Sequence, residues 1–272
     1  VGHYIHGTPL DMAPLLPIEI DVDSSTLQKL LNHTERFWAE LGKEEPYWSV
    51  ITDERFKQDR FAANKEAYDR SGQADVARLL AWLERNQIDV RRFKHCLELG
   101  CGTGRDTQWL ALQFESVTAC DISTPHLNLA RSHLRQQGCS NVTFHALRTL
   151  EFADKLKPPD VFFSILVLQH NPPPVMALIL RRILHLLQPG GIAYFQIPTY
   201  YLGYRFVAAE YLLASRRARH MEMHVLPQRE VYAIAHDAGC RVLEVRRDNY
   251  AMDPNRLSDT FLLEKAYSDG TE

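Results

Sequence analysis

Short apolar runs alternating with stretches of helical period predict an α/β fold with a mostly parallel sheet, and one such run marks its centre. Cys96-Leu97-Glu98-Leu99 leads straight into Gly100-Cys101-Gly102-Thr103-Gly104-Arg105, an apolar strand that breaks into three alternating glycines and then into a helix-forming run. A strand, a glycine-rich turn and a helix N-terminus bring bare backbone N–H groups, aided by the helix dipole, close to a polar ligand. Seventeen residues after Gly104, Asp121 closes the next apolar run, Ser116-Val117-Thr118-Ala119-Cys120. A carboxylate there can accept hydrogen bonds from ribose hydroxyls, and the spacing is that of one βαβ unit with a loop for a nucleotide cofactor.

Ahead of that centre, residues 1–22 carry Pro9, Pro14 and Pro17 among apolar residues, the composition of an extended arm laid on a surface. From Asp23-Ser24-Ser25 onward, Leu27, Leu30, Leu31, Trp38 and Leu41 recur at helical spacing, with a Ser or Asp N-cap and Gly42 as the stop. This is an amphipathic helix. An irregular aromatic stretch follows, Glu45-Pro46-Tyr47-Trp48-Ser49-Val50 with Phe56 and Phe61. It either fills a core or forms a lid over a site, in which case Trp48 would face a substrate. A second helix, Gln73 to about Gln87, places Val76, Leu79, Leu80 and Leu83 on one face and leads into the sheet.

After Asp121, residues 124–137 read as a helix stopped near Gly138, and 142–147 as a third strand. Asp160 to His170 is a near-continuous apolar run, as suits a central parallel strand buried on both faces. Ligands bind outside the carboxyl ends of such strands, which places Leu166, Gln169 and His170 beside the reacting group. A helix over 174–187, a turn at Pro189-Gly190-Gly191 and a strand over 192–197 come next. Residues 198–227 form an insertion rich in Tyr and Arg. A helix over 228–238 and strands near 241–246 and 259–264 complete the chain.

Net charge is −3 on 272 residues, which gives no electrostatic footprint for nucleic acid or an anionic membrane and disfavours both as partners. No run approaches the ~20 apolar residues of a membrane span, and no basic start precedes an apolar core at the N-terminus. The five cysteines, Cys96, Cys101, Cys120, Cys139 and Cys240, contain no C-x-x-C pair and read as reduced thiols, so a soluble, cytoplasmic protein is expected. The chain starts at Val1 and not Met, as either a processed chain or a domain of a longer protein would.

Two cofactors compete for the glycine loop. The dinucleotide fingerprint is G-x-G-x-x-G, whereas here the glycines run G-x-G-x-G, with Glu98 two residues before the first and Arg105 after the last. Glu98-Leu-Gly-Cys-Gly-Thr-Gly104 closely resembles the first motif of class I S-adenosyl-L-methionine (SAM) methyltransferases, and the resemblance extends over residues 95–265. It implies a Rossmann-like seven-stranded sheet, six strands parallel and one antiparallel, over 91–272, preceded by an N-terminal arm and helical lid over 1–90, with the insertion following the fifth strand. It implies SAM as cofactor and S-adenosyl-L-homocysteine as product. In the family the acid at the strand end and the loop backbone hold the methionine part of SAM and the acid after the second strand binds the ribose, which carries over to Glu98, Gly100, Cys101, Gly102, Gly104, Arg105, Asp121 and Ile122. Tyr68 resembles a lid tyrosine that touches SAM. Family members place an acidic residue beyond the third strand, facing the adenine; here Arg148 and Thr149 stand there instead.

Methyl transfer from a sulfonium is an in-line displacement, so the enzyme aligns acceptor and methyl group and, for a hydroxyl, removes a proton. His170 is the candidate base by position, against a reading as a packing residue, and His224 is second; an unshifted histidine would give a rate limb near pH ~6.5. Asn171-Pro172-Pro173-Pro174 is similar to the motif of adenine and glutamine N-methyltransferases, but position 174 is not aromatic and Asn171 lies too far from Asp160, so the prolines are read as a helix start. No metal set of the catechol type occurs. On the acceptor side, Tyr200, Tyr204, Arg205 and Glu222 suit sugars or other polyhydroxylated small molecules, while the run Arg216-Arg217-Ala218-Arg219 suits an anion or a solvated helix face. The stretches around Trp48, Tyr200 and Met221-Glu-Met-His224 resemble bacterial methyltransferases of cell-surface glycan or specialised-metabolite genes. The expectation is a methyltransferase acting on a hydroxyl, less favourably an amine, of a small-molecule or glycan-linked acceptor. The alternative is a non-catalytic SAM-binding regulatory or interaction domain.

Overall fold

The computed structural model describes residues 4–5, 8–9, 16–214, 221–248, 250–251 and 253–267. Pro14 and the basic run at 216–219 lie outside these. Two short strands, β1 (Tyr4–Ile5) and β2 (Thr8–Pro9), pair antiparallel. The arm behind them then docks on the insertion: Ile18 bridges Phe206, and the Glu19 carboxylate accepts the Ala208 N–H at 2.7 Å, capping a later helix.

Helix α1 (Ser24–Glu44) is capped by Asp23, whose side chain accepts the Thr26 N–H, and runs two residues beyond the expected stop at Gly42. Gly42 is there for proximity rather than termination, since a Cβ on it would sit 2.6 Å from His126 Nδ1. Helix α2 (Phe61–Arg85) corrects the reading of 61–72 as irregular. No proline interrupts 61–85, and the helix continues through Gly72 because that position presses on the Arg105 carbonyl, where no side chain fits. Strand β3 (His95–Leu99) follows, then α3 (Thr107–Gln113), β4 (Ser116–Asp121), α4 (Thr124–Gln136) and β5 (Val142–Ala146).

Strand β6 covers only Val161–Ser164, shorter than the apolar run from 160 to 170. The chain leaves the sheet at Leu166, whose φ of 62° is left-handed, and makes a tight turn over Leu168–His170 before α5 (Pro173–Leu186). Strand β7 (Ile192–Tyr201) is conversely longer than expected and takes in the first residues of the insertion. Pro198 is tolerated because β6 pairs no further than Phe195, leaving that side of β7 free of ladder hydrogen bonds, and a bulge falls between Pro198 and Tyr200 on the other side. Helices α6 (Ala208–Ala214) and α7 (Gln228–Asp237), then β8 (Cys240–Asp248) and β9 (Arg256–Lys265), complete the described chain.

The seven-stranded sheet has the order β5-β4-β3-β6-β7-β9-β8, with β9 the one antiparallel strand. Apolar side chains fill both faces, Phe162, Phe195 and Phe261 on one and Phe163, Tyr194 and Leu262 on the other, and Phe195 stacks on Phe261 at 5.3 Å. The glycine turn lies at the carboxyl end of β3, beside the point where neighbouring connections diverge to β4 and β6, which opens a crevice there. Among the described residues, no helix is long and apolar enough to cross a membrane.

Candidate active site

The glycine turn is held rigidly against the neighbouring strand. Gly100 and Gly102 have φ of 75° and 52°, a region that Gly occupies without penalty. The N–H groups of Gly100 and Cys101 both donate to the Cys120 carbonyl, at 2.7 and 3.0 Å, and the Gly102 N–H donates to Asp121 Oδ2 at 2.8 Å. Asp121 Oδ1 accepts the Ser123 N–H at 2.8 Å. Asp121 therefore anchors the turn, and each oxygen keeps a further lone pair for a hydroxyl.

Beside the turn, Gly100, Cys101, Gly102, Arg105, Asp121 and Ile122 line a cleft. Gly104 lies behind it, against Ala130 and Leu134. Asp106, which sequence reasoning passed over, lines the cleft as well. The Arg105 guanidinium donates to Asp75 at 2.7 Å and to Asp106 at 2.9 Å, yet its Nε and Asp106 Oδ1 are buried without partners. A buried donor and a buried acceptor side by side suit the carboxylate and ammonium of an amino-acid group, so these residues fit the methionine end of SAM. Glu98 is buried away from the cleft lining, accepts the Thr107 hydroxyl at 2.6 Å and is pushed up to about 7 by burial. Tyr68 lies behind the turn rather than over it: its hydroxyl meets Thr103 Oγ1 at 2.8 Å among Tyr47, Phe56 and Phe61, and burial raises its pKa. It braces the turn from α2 and does not line the cleft.

The opposite wall comes from the N-terminal segment. Leu31, Thr34 and Trp38 on one face of α1, with Ser49 and Val50 beyond it, line the cleft, while Trp48 does not. A Cβ on Gly102 would lie 2.7 Å from Val50 Cγ2, so this wall sits directly on the turn. His126 fastens it. Its Nε2 is 2.9 Å from Ser49 Oγ and 3.1 Å from the Pro46 carbonyl, its Nδ1 is 2.8 Å from Ser123 Oγ, and burial lowers its pKa. On the third-strand side, Leu147 and Phe152 line the cleft. Arg148 and Thr149 point to the surface, where Arg148 pairs with Glu35 at 2.9 Å; apolar packing thus replaces the acidic residue at that edge.

Leu166 and His170 line the cleft as well, and His170 also borders a smaller pocket with Trp38, Tyr211 and Glu222. The His170 ring meets Trp38 edge-on at 5.1 Å; its Nδ1 donates to the Glu222 carbonyl at 2.9 Å, and burial pushes its pKa down to about 4. Gln169 is buried, with its amide nitrogen 3.2 Å from His170 Nε2. His224 is not brought to the cofactor cleft. It is buried within the insertion, its Nδ1 on the Tyr204 hydroxyl at 2.7 Å and its Nε2 3.3 Å from Glu222, whose carboxylate also accepts the Tyr211 hydroxyl at 2.5 Å and is held below its ordinary range by those partners despite its burial. Arg205 is exposed and pairs with Glu210, and Tyr200, half-buried on β7, has no partner for its hydroxyl. Of the residues expected to meet an acceptor, only Glu222 reaches the pocket beside His170.

A family model described as a methyltransferase domain matches residues 96–191. The chain is 30% identical over 169 residues to a ubiquinone biosynthesis O-methyltransferase of Pseudomonas savastanoi pv. phaseolicola, covering 59% of this chain and 71% of that relative. Among solved structures, magnesium protoporphyrin IX methyltransferase from Synechocystis PCC 6803 with bound SAH superposes with a TM-score of 0.61 at 16% identity, covering 87% of this chain and all of that one. An S-adenosylmethionine-dependent methyltransferase from Clostridium acetobutylicum gives 0.54 at 15% identity over 76% of this chain and 99% of that one. At these identities the solved structures speak for the fold.

Proposed function

This chain belongs to the class I SAM-dependent methyltransferases, and from that premise we propose that it moves a methyl group onto a hydroxyl, less favourably an amine, of a small-molecule or glycan-linked acceptor that enters beside His170. The observation that carries the reading is one cleft lined together by Gly100, Gly102, Asp121, the Arg105–Asp106 pair and His170. SAM, when bound, would supply the electrophilic methyl group, with S-adenosyl-L-homocysteine as the leaving product. The protein's part is placement and one proton. Asp106 Oδ1 and Arg105 Nε would hold the amino-acid end, the Asp121 carboxylate would take the ribose hydroxyls, and Ile122, Leu147 and Phe152 would enclose the base with apolar surface. Val50, Ser49 and Trp38 keep water out of the reaction path. His170 is neutral with Nδ1–H tied to the Glu222 carbonyl, so Nε2 is the unprotonated nitrogen, and an acceptor hydroxyl would have to take the place of the Gln169 amide 3.2 Å away to give it a proton.

An oxygen acceptor is also favoured by the relatives named ubiquinone biosynthesis O-methyltransferases. The Phe37, Trp38 and Tyr211 side chains around the pocket beside His170 suit an aromatic or otherwise flat acceptor, and Glu222 suits a hydroxyl or ammonium donor on it. The five free thiols suit a reducing compartment such as the cytoplasm. Incubation with SAM and panels of phenols, sugar alcohols and amines, with S-adenosyl-L-homocysteine release as readout, tests the proposal. Release with a hydroxylated acceptor supports it, release with amines alone overturns the choice of oxygen, and tight SAM binding with no release on any panel leaves the non-catalytic binding domain as the reading.

A further inference from the structure

A chain of hydrogen bonds whose direction is fixed at both ends runs from the cofactor cleft to the acceptor side. Gln196, on β7, is fully buried; its Oε1 lies 3.1 Å from the Leu166 N–H, and its Nε2 lies 3.1 Å from Gln169 Oε1 and 2.6 Å from Ser258 Oγ. Gln169 Nε2 lies 3.2 Å from His170 Nε2, and His170 Nδ1 lies 2.9 Å from the Glu222 carbonyl. A backbone N–H can only donate, so Leu166 requires Gln196 to present its oxygen. The Gln196 nitrogen is then left to donate to Gln169 Oε1, which turns the Gln169 nitrogen, a donor, toward His170. His170 Nε2 must therefore be the unprotonated nitrogen. From the other end, the Glu222 carbonyl can only accept, and it asks for the proton on Nδ1. The two ends agree.

We infer that Gln196 is a positioning residue that fixes the tautomer of His170 through the amide of Gln169, keeping Nε2 as the nitrogen free of a proton. Its buried place makes the arrangement hard to reverse, because an amide turned the wrong way would set oxygen against oxygen at Gln169 and nitrogen against nitrogen at Leu166. The same side chain holds Leu166, a cleft residue with a left-handed φ of 62° that a leucine rarely adopts. One glutamine thus sets a backbone feature of the cofactor cleft and the proton position on the candidate base. The functional weight of this inference rests on His170 as proton acceptor, but the arrangement itself is measured without an acceptor.

The experiment is imidazole nitrogen NMR of the full chain labelled at histidine, with S-adenosyl-L-homocysteine present, and His170 assigned by its loss in His170→Ala. Wild type is expected to show His170 with Nδ1–H and a bare Nε2; a proton on Nε2 overturns the inference. In Gln196→Glu the carboxylate still accepts from Leu166 but offers no donor, so Gln169 turns its oxygen to His170, and the bare-Nε2 signature is lost to a protonated Nε2. Retention of the wild-type pattern in a Gln196→Glu protein that binds S-adenosyl-L-homocysteine within about threefold of wild type overturns it. Should that variant not fold, Gln169→Glu removes the donor next to the ring and is expected to give the same loss; an unchanged pattern there overturns it equally. Ser258→Ala removes the other Gln196 contact and is expected to keep the wild-type signature, and a change would unseat Leu166 as the fixed end. The rate of His170→Ala tests the base, this spectrum tests the positioning, and either can fail alone.

Discussion

His170 carries its proton on Nδ1 and is neutral through most of the working range, which changes what its kinetics should show. Burial pushes its pKa down to about 4, so the rate limb expected near 6.5 for an unshifted histidine should be absent. The wild-type rate should be level from pH 6 to 8 and fall only as the pH approaches about 4, where Nε2 is protonated. His170→Ala should bind SAM as wild type does and transfer methyl roughly 10² to 10⁴ times more slowly, the range of general-base catalysis. Single-turnover rates across pH with calorimetric SAM affinity check both, and a limb at 6.5 or an unslowed variant would contradict them. Asp121→Ala should weaken SAM by about 1–3 kcal/mol or somewhat more, because the carboxylate also holds the Gly102 N–H and the turn loosens with it. Gly102→Val should abolish binding through the lid wall, since its first side-chain atom would meet Val50 and the left-handed φ would be strained.

Helix α2 shows how an element transmits packing to the site. Its Gly72 lies against the Arg105 carbonyl and its Asp75 holds the Arg105 guanidinium, so the distance between helix and turn is fixed by one missing side chain and one ion pair. Gly72→Ala should force the helix away from the turn, with an overpacking cost of about 1–3 kcal/mol and a melting temperature lower by a few degrees, about 2–4 °C per kcal/mol. It should also weaken SAM several-fold; calorimetry and thermal melts give both numbers, and unchanged values would mean that the helix is not the spacer. The sequence left the aromatic stretch open between core filling and a lid: Tyr47 packs against Phe61 and Tyr68, while Ser49 and Val50, not Trp48, line the cleft. Which residues of an irregular segment face inward depends on where His126 fastens it, and that contact is 77 residues away in sequence.

Across the whole molecule, a buried acid and several buried histidines titrate against each other. Glu98, raised from 4.5 to about 7, binds more protons folded than unfolded, so it lowers stability as pH rises from 4.5 to 7. His170, lowered from 6.5 to about 4, binds fewer, so it raises stability as pH climbs from 4 to 6.5; burial lowers His126 and His95 in the same sense. The melting temperature of Glu98→Gln should therefore rise relative to wild type as the pH climbs from 4.5 to 7, because the opposing titration of Glu98 is gone. Parallel curves for the two proteins would refute the opposition. The strand that ends in three glycines, Asp121 at the end of the next, and the sheet they imply were all readable from order and spacing, because backbone conformation at glycine and the period of apolar residues are local properties. The exit of β6 at Leu166, the separation of His224 from the cleft, and the roles of Asp106, His126 and Gln196 were decided only by tertiary structure. Each depends on which buried polar atoms find partners across distant segments, and no local pattern encodes that pairing.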